Sequence, residues 1–169
     1  MKRCSPKAVA KLCKSVNTLP EVFNSKLPSL ATVRKTYGEN YTEAYVAIWI
    51  TNLVEFFQVG KRMGESQIDE TAMLIIQDYY MLTLADINLI FTRAKKAHYG
   101  ELYDRLDGGV ILSWFRKYFE ERCQEAESIA LRKHDRFKEN GQPRASDQDR
   151  EAHRKAFQQY KMENIIKQK

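Results

Sequence analysis

NYTEAYVAIWITNLVEFFQV, residues 40–59, decides the fold class. Tyr45, Ala47, Ile48, Trp49, Ile50, Leu53, Val54, Phe56 and Phe57 recur here at helical spacing and surround nearly the whole helix that the segment would form. Thr51, Asn52, Glu55 and Gln58 interrupt it, so it falls short of the roughly 20 apolar residues a membrane span requires. The segment therefore predicts a central, buried helix ended by Gly60.

The neighbouring segments repeat that periodicity. On the carboxyl side, Ser66 with Asp69 has capping-box spacing and opens a helix over about 67–81, carrying Ile68, Ala72, Ile75, Ile76 and Tyr79. Thr83 with Asp86 repeats the signal and starts a helix to about Lys96, using Leu84, Ile87, Ile90, Phe91 and Ala94. Asp107 caps a long helix from about Gly108 to Glu139, whose first half holds Ile111, Trp114, Phe115, Tyr118 and Phe119. On the amino side, a short helix runs from Ser29 to about Tyr37 and stops at Gly38. Before it, 19–28 reads as a linker with Pro20 and Pro28, and a first helix spans about Ser5 to Thr18. No stretch alternates with period two between hairpin turns. The expected fold is all-α: a compact bundle of about five helices around helix 40–59, with a basic N-terminal helix and a projecting C-terminal helical hairpin or tail. The corresponding domains are 1–28, 29–123 and 124–169.

With 169 residues, 43% of them hydrophobic, the chain can build a core without disulfides or metal. Cys4, Cys13 and Cys123 form no CxxC pair, and their odd number argues against a disulfide framework. A cytoplasmic setting is expected, and the first 20 residues, with Lys7, Lys11 and Lys14 among apolar positions, show no signal-peptide pattern. Charge is unevenly divided: residues 1–35 hold eight Lys/Arg against one Glu (+7), 36–107 hold six against eleven acids (−5), and 108–169 fourteen against ten (+4). Basic ends around an acidic middle suit contact with a polyanion, or with an acidic protein surface, through the ends.

The connector AKKAHYGELYDRLDGG, residues 94–109, gathers the most chemistry. His98, Tyr99, Glu101, Tyr103, Asp104 and Asp107 are all competent in proton transfer. No strand precedes them, however, and neither GxxxxGK[ST] nor GxGxxG is present. A structural account covers most of the stretch: Gly100 as a left-handed cap for the helix ending near Ala97, tyrosine rings on the bundle, and Asp107-Gly108-Gly109 as turn and cap. His98 and Glu101 are not needed for capping, so His98, Tyr99, Glu101 and Tyr103 form a candidate recognition loop.

Other catalytic readings are weaker. His98, His134-Asp135 and Asp149 echo the ligand order of HD phosphohydrolases, but no HExxH or ExxH pair is present, and His134-Asp135 sits in a charged run that reads as a solvated helix face. No GxSxG surrounds Ser113. The expectation is a protein that is not an enzyme and has no cofactor or metal. Lys7, Lys11 and Lys14 on one face of the first helix, and Arg132, Lys133 and Arg136 near the C-terminus, are the candidate contacts to nucleic acid or to a protein partner. Both terminal helices have thin apolar stripes, which either dock on the bundle or finish their burial on a partner.

The segment from Thr36 to Arg122 resembles a family of small helical proteins from bacterial phages and mobile elements. The resemblance rests on Tyr37-Gly38-Glu39, Tyr79-Tyr80, Tyr99-Gly100-Glu101-Leu102-Tyr103, Leu106-Asp107 and Arg122, and covers about half of the chain. Gly108 stands where relatives are expected to carry proline. The resemblance implies a mobile-element setting and brings no mechanism. The function expected is that of a non-enzymatic accessory in nucleic-acid transactions; the alternative is a protein-interaction adaptor without nucleic acid.

Overall fold

The computed structural model describes residues 6–57, 60, 62–102, 105–139 and 147–166, with backbone alone for 6, 7, 139 and 162–166. Among them are eight helices and no strand, so the chain is all-α. In order they are α1 (Pro6–Leu12), α2 (Leu19–Asn24), α3 (Leu30–Tyr37), α4 (Glu39–Phe56), α5 (Glu65–Asp78), α6 (Leu84–Lys95), α7 (Gly108–Glu139) and α8 (Asp147–Ile166). The chain divides into two compact units, 1–126 and 127–169, with the boundary inside α7.

In the first unit α4 packs on α3, α5 and α6, and α1 packs on α6. The aromatic side chains knit α4, α6 and α7 together. Trp49 stacks on Phe91 at 5.5 Å, Phe91 meets the edge of Phe115 at 6.0 Å, and Phe115 lies 5.4 Å from Tyr79. Arrangements of this kind stabilise beyond the area they bury.

Burial departs from the expectation in one respect. α4 is not enclosed all round, since Ile48 and Phe56 face solvent. The most enveloped helix is α6, where Leu84 through Phe91 are all buried, Asp86 and Asn88 included. Its apolar stripe shows only one side of that enclosure.

Three boundaries also differ. Residues 19–28 are not a plain linker, because α2 forms inside them: Pro20 sits in its first turn, where no intrahelical N–H is required, and the Glu21 carboxylate accepts from the Asn17 and Thr18 amides at 2.7 and 3.0 Å. α5 begins earlier than the Ser66 and Asp69 spacing predicts, with Gly64 at its N-cap and the Gly64 amide bonded to Gln67 Oε1 at 3.3 Å. α1 ends at Leu12, short of the expected Thr18, and a turn at Cys13–Val16 follows. Val9 and Cys13 are buried, so α1 belongs to the first unit and docks on the bundle.

The N-termini of α3 and α6 meet in an isolated antiparallel bridge between Ser29 and Thr83. The amides of Leu30 and Ala31 donate to the carbonyls of Leu82 and Tyr80, and the Leu84 amide donates to that of Pro28. Each helix thereby satisfies first-turn donors that have no partner within a helix.

Candidate functional site

Three features compete for the site: the connector after α6, a buried polar centre between α6 and α7, and the exposed cations.

The connector begins with a left-handed residue that is not the expected glycine. Ala97 has φ +56° and ends α6, with the His98 amide bonded to the Arg93 carbonyl at 3.0 Å and the Ala97 amide to the Ala94 carbonyl at 3.0 Å. This pair of bonds is a Schellman motif. Gly100, with φ +111°, makes the next bend. The double turn carries residues 98 and 99 onto α7. His98 Nε2 lies 3.8 Å from Glu121 Oε1, and the other oxygen of Glu121 takes a 2.8 Å bond from Arg93. Tyr99 stacks on Trp114 at 6.0 Å and 20°. Its hydroxyl is buried, and burial pushes the phenol up to about 12, with the nearby Arg93 guanidinium pulling the other way.

The candidate loop therefore separates by role. Tyr99 is a packing residue, His98 is half-exposed against Glu121, and Glu101 is exposed. Tyr103 and Asp104 lie outside the described residues. Among the described residues of the loop, no base and nucleophile are held together as covalent catalysis requires.

The buried polar centre was not legible as a centre in the sequence. Asp86 is fully buried, and its two oxygens are filled from inside the protein. Oδ1 accepts from the Tyr118 hydroxyl at 2.7 Å and from Arg122 Nε at 2.9 Å; Oδ2 accepts from the Thr83 amide and hydroxyl, both at 2.7 Å. Burial, then the Asp86 charge, raises the Tyr118 phenol far above its ordinary range. The Arg122 guanidinium lies 5.0 Å over the Phe23 ring, so one cation joins α2, α6 and α7. With every lone pair directed at an internal donor and Tyr118 fully buried, the cluster fastens helices and offers no room to a substrate.

Of the basic candidates, Lys11 and Lys14 are exposed in the first unit, and the Lys7 side chain lies outside the described residues. In the second unit Arg132, Lys133 and Arg136 are exposed on the last turns of α7. Arg132 Nε donates to the Ser128 carbonyl at 3.2 Å, while Lys133 and Arg136 have no ion-pair partner among the described residues. His134 is 3.8 Å from its neighbour Asp135, both well exposed. Among the described residues no group of three or more His, Cys, Asp or Glu side chains is placed to hold a metal ion. No helix among them is long and apolar enough to cross a membrane.

No family model, curated protein or solved structure matches the chain.

Proposed function

We propose that the chain is a non-enzymatic accessory protein in nucleic-acid transactions, of the replication-accessory type and of phage or mobile-element origin, which grips nucleic acid through its basic ends. The observation that supports this reading is the second unit. Residues 130–138 and 147–161 are exposed throughout, and residues 127–169 hold eleven Lys/Arg against seven acids (+4). Phosphate contact requires flexible cations repeated along a surface, and Lys133, Arg136, Lys138 and Arg154 are such cations.

Fluorescence anisotropy with single- and double-stranded oligonucleotides, titrated at several salt concentrations, tests the proposal. Affinity should fall log-linearly with salt, and changing Arg132, Lys133 and Arg136 together to alanine should flatten that slope by up to about three, roughly one for each phosphate that is no longer neutralised. Absence of binding at low salt rejects it.

The same unit supports one other reading. Leu131, Phe137, Phe157 and Tyr160 are all more than half exposed, and apolar residues in that state suit a protein adaptor. A pull-down with and without nuclease separates the two. A partner retained after nuclease, combined with no oligonucleotide binding, favours the adaptor.

A further inference from the structure

A cavity of about 150 Å³ lies between α1, α4 and α6. The stacked rings of Trp49 and Phe91 form its apolar wall, with Ala10 of α1 at its side. Four polar side chains line the rest: Asn52, Asn88, Thr92 and Lys95.

Their bonding state makes this more than a packing gap. Asn88 is 5% exposed, yet its amide has no hydrogen-bond partner among the described residues. The Asn88 amide still reaches solvent, whereas the Trp49 indole Nε1 in the same lining is buried with no hydrogen-bond partner among the described residues, and a buried N–H left in that state is costly unless something in the cavity completes it. Thr36, Thr42, Thr51 and Thr71 each donate their hydroxyl to the carbonyl four residues back, whereas Thr92 makes no such bond. Lys95 is held in place, with Nζ bonded to Asn52 Oδ1 at 2.7 Å and lying 5.0 Å over the Phe56 ring. Because that bond occupies the oxygen of Asn52, its NH₂ group remains as a donor. Burial lowers the Lys95 pKa, as expected for a cation without a carboxylate beside it.

The lining thus offers one cation, neutral donors and no carboxylate, all next to an apolar wall. A singly charged oxyanion neutralises one lysine, whereas a dianion leaves an unmatched charge in a half-enclosed site. The volume, well below that of a drug-sized pocket, admits only a few heavy atoms. We infer that this cavity is a binding site for a short-chain monocarboxylate, its carboxylate held by Lys95, Asn88 and Thr92 and its alkyl end against Trp49 and Phe91. This goes beyond the proposed nucleic-acid role and does not depend on it.

The test is a titration of the full-length, isotopically labelled protein with sodium butyrate, followed by the NMR signals of the Trp49 indole N–H and the Asn88 side-chain amide. Sodium phosphate and sodium chloride at matched ionic strength are the comparison arms. Saturable shifts with butyrate alone are expected. Lys95→Met should weaken binding about ten- to hundredfold, the range for losing a charged hydrogen-bond partner. Thr92→Val, which keeps the side chain's shape, should weaken it about five- to tenfold while leaving the remaining spectrum unchanged, so that loss of fold is not mistaken for loss of site. Three outcomes overturn the inference: no saturable shift with butyrate, saturation by phosphate at equal or lower concentration, or equal butyrate affinity in the wild type and both variants.

Discussion

Arg122 does at one position what sequence spacing cannot announce. It neutralises Asp86, which is fully buried, and its guanidinium covers Phe23. Removing one member of a buried pair strands the other charge, at a cost of about 3–5 kcal/mol. Arg122→Ala should therefore lower the unfolding free energy in urea by about that amount. Arg122→Ala combined with Asp86→Asn should lose less than Arg122→Ala alone, because no buried charge is stranded; equal losses would remove the ion pair from the account. The Thr83 and Asp86 spacing identified Asp86 as a capping residue, and its Oδ2 does perform that role. Its Oδ1 belongs to partners 32 and 36 residues away on another helix, a relation with no periodicity to find. His98 and Glu121 are in the same position, joined only because Ala97 accepts a left-handed turn that glycine would adopt more easily.

At the scale of elements, the capping signals before α6 and α7 were legible because they are local. The Asp107 carboxylate bonds the Val110 amide at 2.9 Å, and α7 spans the residues expected of it. α2 was hidden because Pro20 and Pro28 read as breakers, although a proline in a first helical turn breaks nothing. Gly108 also carries more than a turn. A Cβ there would stand 2.5 Å from Thr71 Oγ1, so α7 begins in close approach to α5. That side chain is fixed by its own 2.6 Å bond to the Gln67 carbonyl and has little freedom to yield. Gly108→Ala should destabilise the protein by about 1–3 kcal/mol, the range for overpacking, and Thr71→Ala in the same chain should recover much of the loss. Thermal melting of the single and double variants decides this, and an unchanged midpoint for Gly108→Ala would mean that the helices separate freely at this point. The enclosure of α6 escaped the sequence for a related reason: Asp86 and Asn88 look like solvent-facing positions until their surroundings are known.

For the molecule as a whole, division into two units implies two levels of stability. Among the described residues the core is confined to the first unit, and every one from 130 to 138 and from 147 to 161 is exposed. A helix without a buried face relies on propensity and local pairs such as Lys155 with Glu151, which contribute only a few tenths of a kcal/mol each. Amide hydrogen exchange should accordingly be fast through 147–161 and slowest in α6, whose residues 84–91 open only with global unfolding. Comparable protection in α8 and α6 would contradict this. Charge asymmetry was legible from composition, whereas the surface it marks depends on which cations are exposed and unpaired.

The bridge between residues 29 and 83 bears on that surface as well. Helix N-termini are ready-made phosphate sites, yet α3 and α6 direct their first amides at carbonyls and capping hydroxyls, and Asp107 covers an amide of α7. The first amides of α3 and α6 are thus turned inward, so these two ends add nothing to the proposed grip on nucleic acid, which is assigned to lysine and arginine heads. Contacts of that kind fix how many phosphates are neutralised without fixing which ones. A strand held that way is retained without register, free to shift along the protein while the number of neutralised phosphates stays the same.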